Sequence, residues 1–477
     1  MSKLRRLFLD TSLFRLLFIL SMFFSMVMYV EKAAYALSYV LLVWGSGLSI
    51  YAVVKRKAYA KLYLGIWLMA FFVSFAVTVL ININHNLQAV LYNVLMLVHI
   101  GVCFFVFFGI HTEDGVPFRW ELYLMVKIIV YLSTIFTLVG LVLMLFTSGR
   151  FDNYMYYQGV FKGFYTNPNY QGYVSALSVI FCHMLTKPNF VAHSGQKRVS
   201  RVWLGSCVVL NCVALLLCDS NGSLLLLAAY AAILVLMKLF SMVEDLTPGK
   251  IITRLISLVV VGIVIVTIMM FVRIVCRVGV AAFFSESGLS SEQIKELTGD
   301  LFFVPKADSG FTSRWFLWDA GFKLFMQNPV FGIGKGNLYD GIIAVTGREN
   351  FNSQFDGFVQ IAFTDLHNGY LTLLVTTGVI GTLLFLIFLV RYIMMILPAW
   401  FVHRRIMTYS VYPCLIAYIG AYLVYAVIEK TVLFDITYLV MSFWLILGYT
   451  SCYAIDQGYN RRGNIYLFNL KFNKKLI

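Results

Sequence analysis

Charge is scarce in this chain. Only 12% of its 477 residues are Asp, Glu, Lys or Arg, about half of the roughly 25% usual in soluble domains. Hydrophobic residues make up 61% and the mean hydropathy is +0.84, which excludes an ordinary water-soluble globule. Cysteine motifs are missing as well. The eight Cys (103, 182, 207, 212, 218, 276, 414 and 452) form no CxxC pair and have no His partner at zinc spacing. All lie in or beside apolar runs and read as small packing residues, so neither disulfides nor a metal is implied. Internal repeats, low-complexity tracts and linkers are absent. So are the alternating segments of about ten residues that mark a membrane β-barrel.

What the chain does have is continuous apolar runs of about 20 residues, the length a helix needs to cross hydrocarbon. The expected fold is therefore all-α and polytopic, one membrane domain over 1–477. Its roughly twelve transmembrane helices fall near 12–30, 33–54, 62–81, 88–110, 121–147, 170–187, 202–219, 222–241, 255–276, 368–390, 409–429 and 434–453. The start, Lys3-Leu4-Arg5-Arg6 before an apolar run, resembles a signal peptide. The run continues to Val30 without a small-residue cleavage site, so an uncleaved first span is expected.

The net charge of +15 does not point to nucleic acid, because position decides its meaning. Lys55, Arg56, Lys57 and Lys61, then Lys187, Lys197, Arg198 and Arg201, then Lys250 and Arg254, then Arg404 and Arg405 all fall in alternate loops. The tail at 455–477 adds Arg461, Arg462, Lys471, Lys474 and Lys475. This is the positive-inside pattern, with anionic membrane lipids as partners of the basic face. It predicts both termini in the cytoplasm. Arg15, Lys127 and Glu429 lie near span ends, where long side chains can snorkel to the interface.

Two external segments are long enough to do chemistry, a first loop at 148–170 and a large loop at 277–366 expected to be catalytic. Within the second, Trp315, Trp318, Phe322 and Phe325 form a helical stripe suited to packing or interfacial anchoring. His367 is the leading candidate. Thr364 or Asp365 can cap the apolar helix that follows, which sets His367 in its first turn. There the positive end of the helix disfavours an imidazolium, and a neutral imidazole is what a general base requires. Arg314, beside Trp315, can contact phosphate oxygens through two N–H groups at once or anchor to lipid head groups. Lys335 lies in Gly332-Ile333-Gly334-Lys335-Gly336, whose spacing is not that of a P-loop, so a tight turn is expected. In the first loop Asn167-Pro168-Asn169 is a turn signal before a helix, with Asn169 as a candidate cap. Asp219-Ser220-Asn221-Gly222-Ser223 is a polar break between spans.

Three groups of residues together resemble the bacterial O-antigen ligase and polysaccharide polymerase family. They are Arg314-Trp315 with Asn328-Pro329 and Gly332-Ile333-Gly334; His367-Asn368-Gly369-Tyr370-Leu371 with Gly378 and Gly381; and Gly163-Phe164 leading to Asn167-Pro168-Asn169. The resemblance implies metal-independent, cofactor-free, inverting glycosyl transfer at the external face of the bacterial cytoplasmic membrane. The implied partners are a polyprenyl-diphosphate-linked glycan donor and a glycan or lipid-linked acceptor, with other polysaccharide-assembly proteins as further candidates. On this resemblance His367 and Arg314 are the expected catalytic residues, with Asn169, Asn368 and Tyr370 expected to position substrate. Where the family often has Ser-Arg-Gly, with the Arg on the donor diphosphate, this chain has Ser220-Asn221-Gly222. Asn221 brings hydrogen bonds without charge, and Lys162, Lys335 or Arg150 can compensate. A polymerase is favoured over a ligase on frequency alone. The rival class is a polysaccharide or lipid-linked oligosaccharide flippase, which would carry ionisable residues on broken helices, often within inverted repeats.

Overall fold

The computed structural model describes residues 7–83, 86–110, 117–146, 155–157, 160–241, 248–285, 311–347, 365–402, 409–430 and 432–456. Helices form along the apolar runs because in hydrocarbon the backbone must satisfy its own N–H and C=O groups. In chain order the principal helices are α1 (Thr11–Phe24), α2 (Glu31–Val54), α3 (Gly65–Ile81), α4 (Leu87–Val102), α5 (Phe118–Phe146), α6 (Pro168–Leu185), α7 (Arg201–Leu217) and α8 (Asn221–Ser241). They continue with α9 (Pro248–Ser285), α10 (Phe311–Gln327), α11 (Leu338–Thr346), α12 (Gly369–Val402), α13 (Tyr412–Tyr425) and α14 (Tyr438–Asp456). A helix stands at each position expected from hydropathy, while α10 and α11 come from the large loop. Among the described residues six stretches are long and apolar enough to cross a membrane: Glu31–Val54, Leu87–Phe108, Phe118–Met144, Asn221–Ser241, Gly369–Leu397 and Tyr438–Ile455. Helices α1, α3, α7 and α13 are apolar but shorter. The chain is a multi-pass helical membrane protein.

α14 runs through the middle of the bundle. Its Trp444 is fully buried and packs on Phe104, Phe108, Phe385 and Phe388. A smaller core joins α10 and α11 to the start of α12, with Leu317, Ala320 and Leu324 set against Leu366, Leu371 and Val375. The described part of the large loop therefore folds down onto the bundle. The expected aromatic stripe on α10 splits: Trp315 and Phe322 are exposed, whereas Trp318 and Phe325 pack on this small core. In the first loop, Tyr156–Tyr157 and Val160–Phe161 form a short antiparallel pair. The end of α1 is pinned to the same loop by Met28 N to Phe164 O at 2.8 Å and Thr166 N to Met26 O at 2.9 Å.

Two features depart from a plain bundle. Arg15, expected to snorkel, is instead 2% exposed and clamped on Glu121 of α5, with Nε to Oε1 at 2.7 Å and Nη2 to Oε2 at 2.9 Å. Its Nη1 donates to the carbonyl of Val106 at 2.9 Å, inside the π-helical stretch Cys103–Phe108. An ion pair that deep persists only when both partners are fully hydrogen-bonded.

The second departure is a break in α12 at Gly378, where φ is 64° and ψ −168°. Residues 328–334 enter this break. Ile333 N and Gly334 N donate to Val375 O and Thr376 O, both at 3.0 Å, and Val379 N and Ile380 N donate to Pro329 O and Val330 O at 2.8 and 3.2 Å. Gly332 and Gly378 allow the two backbones to touch, since a Cβ on Gly378 would lie 2.3 Å from Val330 O. Thr78 of α3 and Asn82, its C-cap, complete the cover by donating to Phe331 O at 2.7 Å and Gly332 O at 3.0 Å. A membrane domain tolerates irregular backbone where, as here, it is buried in protein, or where it lines a water-filled cavity.

Candidate functional site

The run His367-Asn368-Gly369-Tyr370 builds the start of α12 and a crossing over it. Asn368 Oδ1 accepts from the backbone N–H of Tyr370 at 3.1 Å and of Leu371 at 2.9 Å, so Asn368 is the N-cap. The expectation that Asp365 caps the helix and places His367 in its first turn is thereby corrected; Thr364 lies outside the described residues. His367 stands before the cap at φ 46°, a left-handed conformation that costs a residue with a Cβ. Asp365 holds it there, its Oδ1 accepting from His367 N at 3.0 Å. Gly369 N donates to Ala426 O at 2.8 Å, and a Cβ at Gly369 would fall 2.6 Å from Val432 Cγ2. Only a glycine lets the connection between α13 and α14 pass so close. Tyr370 Oη then donates to Leu423 O at 2.8 Å, tying α12 to α13.

That crossing delivers Glu429. Instead of reaching for the interface as a span-end residue, its Oε2 lies 3.6 Å from His367 Nδ1 and its Oε1 lies 3.3 Å from Arg314 Nη2. Arg314 is set by α10, which rests on the start of α12 through Gly321 against Leu366 and Leu371 and through Trp318 Nε1 donating to Leu366 O at 2.9 Å. His367 and Arg314, 53 positions apart by their numbers in the chain, thus meet through one carboxylate. The site is partly open: the side chains of Arg314, His367 and Glu429 are 28%, 33% and 19% exposed. His367 Nδ1 itself is buried, so the exposure of the ring lies away from Glu429.

A second charged group lies behind. Lys335 Nζ and Lys430 Nζ both approach Asp365 Oδ2, at 3.5 and 3.6 Å, and Lys430 also lies 4.0 Å from Asp435 Oδ1. Burial alone would push the Asp365 carboxyl up, but Lys335, Lys430 and His367 together hold it below its ordinary value. Burial pulls Lys335 down against the opposing pull of Asp365. The Asp435 carboxylate lifts Lys430 well above the usual lysine range, and burial raises Asp435.

The other expected residues have distinct places. Lys335 is buried in this ion network. Asn221 is exposed at the first position of α8, and the neighbouring Gly222 would set a Cβ 3.7 Å from Glu429 Oε1. Asn167, not Asn169, caps α6 by accepting from Asn169 N at 2.8 Å. The Asn169 side chain is exposed, and Gly172, one turn on, packs against Ser220 and Ser223 beside the start of α8. Lys162 is buried in the short hairpin on α6 and α7, where desolvation lowers its pKa, and none of its described contacts joins it to Glu429. Arg150 lies outside the described residues.

A family model described as O-antigen ligase matches residues 206–386. Over that segment the chain is similar to the O-antigen ligase family. No curated protein matches it. The matched segment holds Asn221, Arg314, Lys335, Asp365, His367 and both faces of the α12 break, and stops short of Glu429 and Lys430. Those two, with Asp435, are the residues that sequence reasoning missed. The available signal was a carboxylate and an ammonium side by side in a short connection between apolar helices, in a chain with only 22 acidic residues.

Proposed function

We propose that this chain is a glycosyltransferase of bacterial surface polysaccharide assembly, in the cytoplasmic membrane, with all twelve hydropathic helices crossing and both termini inside. It transfers a polyprenyl-diphosphate-linked glycan to an acceptor sugar hydroxyl at the external face, as a polymerase in preference to a ligase. The observation that carries this reading is the contact series Arg314–Glu429–His367, at 3.3 and 3.6 Å, in a partly open site at the mouth of α12. Glu429 faces Nδ1 and orients the ring, which leaves Nε2 to take the acceptor proton. A base oriented by a carboxylate is a recurrent arrangement for activating a hydroxyl. The acceptor oxygen forms the new bond to the anomeric carbon from the face opposite the leaving group. As the anomeric C–O bond to phosphate breaks, the electron pair leaves with the polyprenyl diphosphate, and Arg314 stabilises the charge that develops. The configuration inverts.

The break in α12 favours a second reading, transport, because transporters build sites on interrupted helices. Here, however, the groups freed at the break are occupied by residues 328–334 of the chain itself. Glycosyl transfer by purified protein is the test. His367→Ala is expected to lower turnover by about 10²- to 10⁴-fold at unchanged protein level. In the native host the same variant should collapse a polysaccharide ladder to one repeat unit for a polymerase, or strand full-length glycan on the lipid carrier for a ligase. Normal turnover in His367→Ala would remove the assignment.

A further inference from the structure

We propose that Lys430 is a second phosphate-binding cation of this site, gripping the diphosphate of the donor together with Arg314. The inference rests on the glycosyl-transfer reading and adds a residue to it. Arg314 reaches His367 through Glu429, by contacts of 3.3 and 3.6 Å. Lys430 reaches it through Asp365: Nζ lies 3.6 Å from Oδ2, and Oδ1 accepts from His367 N at 3.0 Å. Two cations therefore stand around His367, Arg314 linked to its ring through Glu429 and Lys430 linked to its backbone N–H through Asp365.

Of the lysines near the site, Lys430 is the accessible one, its side chain 35% exposed against 4% for Lys335. Its carboxylate partners stand off at 3.6 and 4.0 Å, outside the roughly 2.7–2.9 Å of a charge-assisted hydrogen bond. An ammonium has three donors, so a phosphate oxygen at bonding distance would be a closer partner than either carboxylate. The group also stays charged, because Asp435 and Asp365 favour its protonated form. A diphosphate presents two phosphoryl groups, whereas the α10 side of the site offers one guanidinium, and Asn221 at the adjoining start of α8 is neutral.

The test is binding of two probes, undecaprenyl diphosphate and undecaprenyl monophosphate, to the full chain in phosphatidylcholine nanodiscs. The wild type should prefer the diphosphate. Lys430→Gln should weaken diphosphate binding by about 10-fold or more and leave monophosphate binding unchanged, and Lys430→Arg should restore the preference. An unchanged diphosphate Kd in Lys430→Gln, or equal loss for both lipids, overturns the assignment, the second by showing a merely structural role. Glycan transfer measured on the same preparations separates the two levels. Transfer by the wild type with an unmoved Kd in Lys430→Gln removes Lys430 alone, whereas absence of transfer by the wild type removes the underlying reading and this inference with it.

Discussion

Two Arg–Glu pairs in this molecule use the same chemistry to opposite ends. Arg15–Glu121 is closed: two contacts at 2.7 and 2.9 Å, a third to a backbone carbonyl, and side chains only 2% and 4% exposed. Arg314–Glu429 is open: one contact at 3.3 Å and side chains 28% and 19% exposed, with His367 on the other carboxylate oxygen. The closed pair has its bonding capacity consumed and cannot receive a ligand without unfolding its surroundings. Among the described residues the open pair commits only Nη2 of Arg314, and on the proposed reading its other donors meet the incoming anion. Salt bridges in a membrane domain are thus better sorted by saturation than by presence.

The largest effect that would sharpen this contrast is expected at the closed pair. Glu121→Ala leaves a buried guanidinium without its partner and should lower stability by about 3–5 kcal/mol, read as a fall in thermal unfolding temperature in detergent, with activity lost only in proportion to folded protein. Arg314→Ala should do the reverse, reducing turnover by about 10²- to 10³-fold while the unfolding temperature stays near that of wild type. If Arg314→Ala unfolded the protein and Glu121→Ala did not, the two pairs would have been assigned the wrong way round. Glu429→Gln keeps shape but loses charge. Through misorientation of His367 it should cost about 10²-fold in turnover, and a shifted pH–rate profile would separate it from a packing defect.

The smallest effect concerns acid. Asp365 is held below its ordinary carboxyl value in the folded protein, so its stabilisation is fully present above about pH 3.9 and is lost as pH falls through the lower folded value. Asp365→Asn should therefore be less stable than wild type at neutral pH and converge with it at the acid end. Parallel unfolding curves across that range would show that the network contributes no pH dependence.

Much of the architecture was legible because apolar length and helix length are the same quantity in a bilayer. Each hydropathic run from α1 to α14 became a helix, but the meeting of backbones at Gly332 and Gly378 was not legible, because a glycine-rich stretch reads as a local turn. Arg314 and His367 were legible through the chemistry of their side chains. Glu429 was not, because a carboxylate at the end of a span reads as a group reaching for water, and what turns it inward is the close approach of Ala426, Glu429 and Val432 to Gly369. Asn368 took the cap from Asp365 for a related reason: Asp365 is engaged by Lys335, Lys430 and the His367 backbone. Arg15 misled because its partner Glu121 is separated from it in the sequence by the three principal helices α2, α3 and α4.

The interruption of α12 also has a mechanical meaning. Four main-chain hydrogen bonds fasten residues 329–334 to residues 375–380, and α3 clasps the same strap through Thr78 and its C-cap Asn82. The strap, the first half of α12 and α3 must travel as one piece, so the wall bearing His367 is a fixed post. On the proposed glycosyl-transfer reading, whatever opens to admit a lipid tail has to be found among the parts hinged around it.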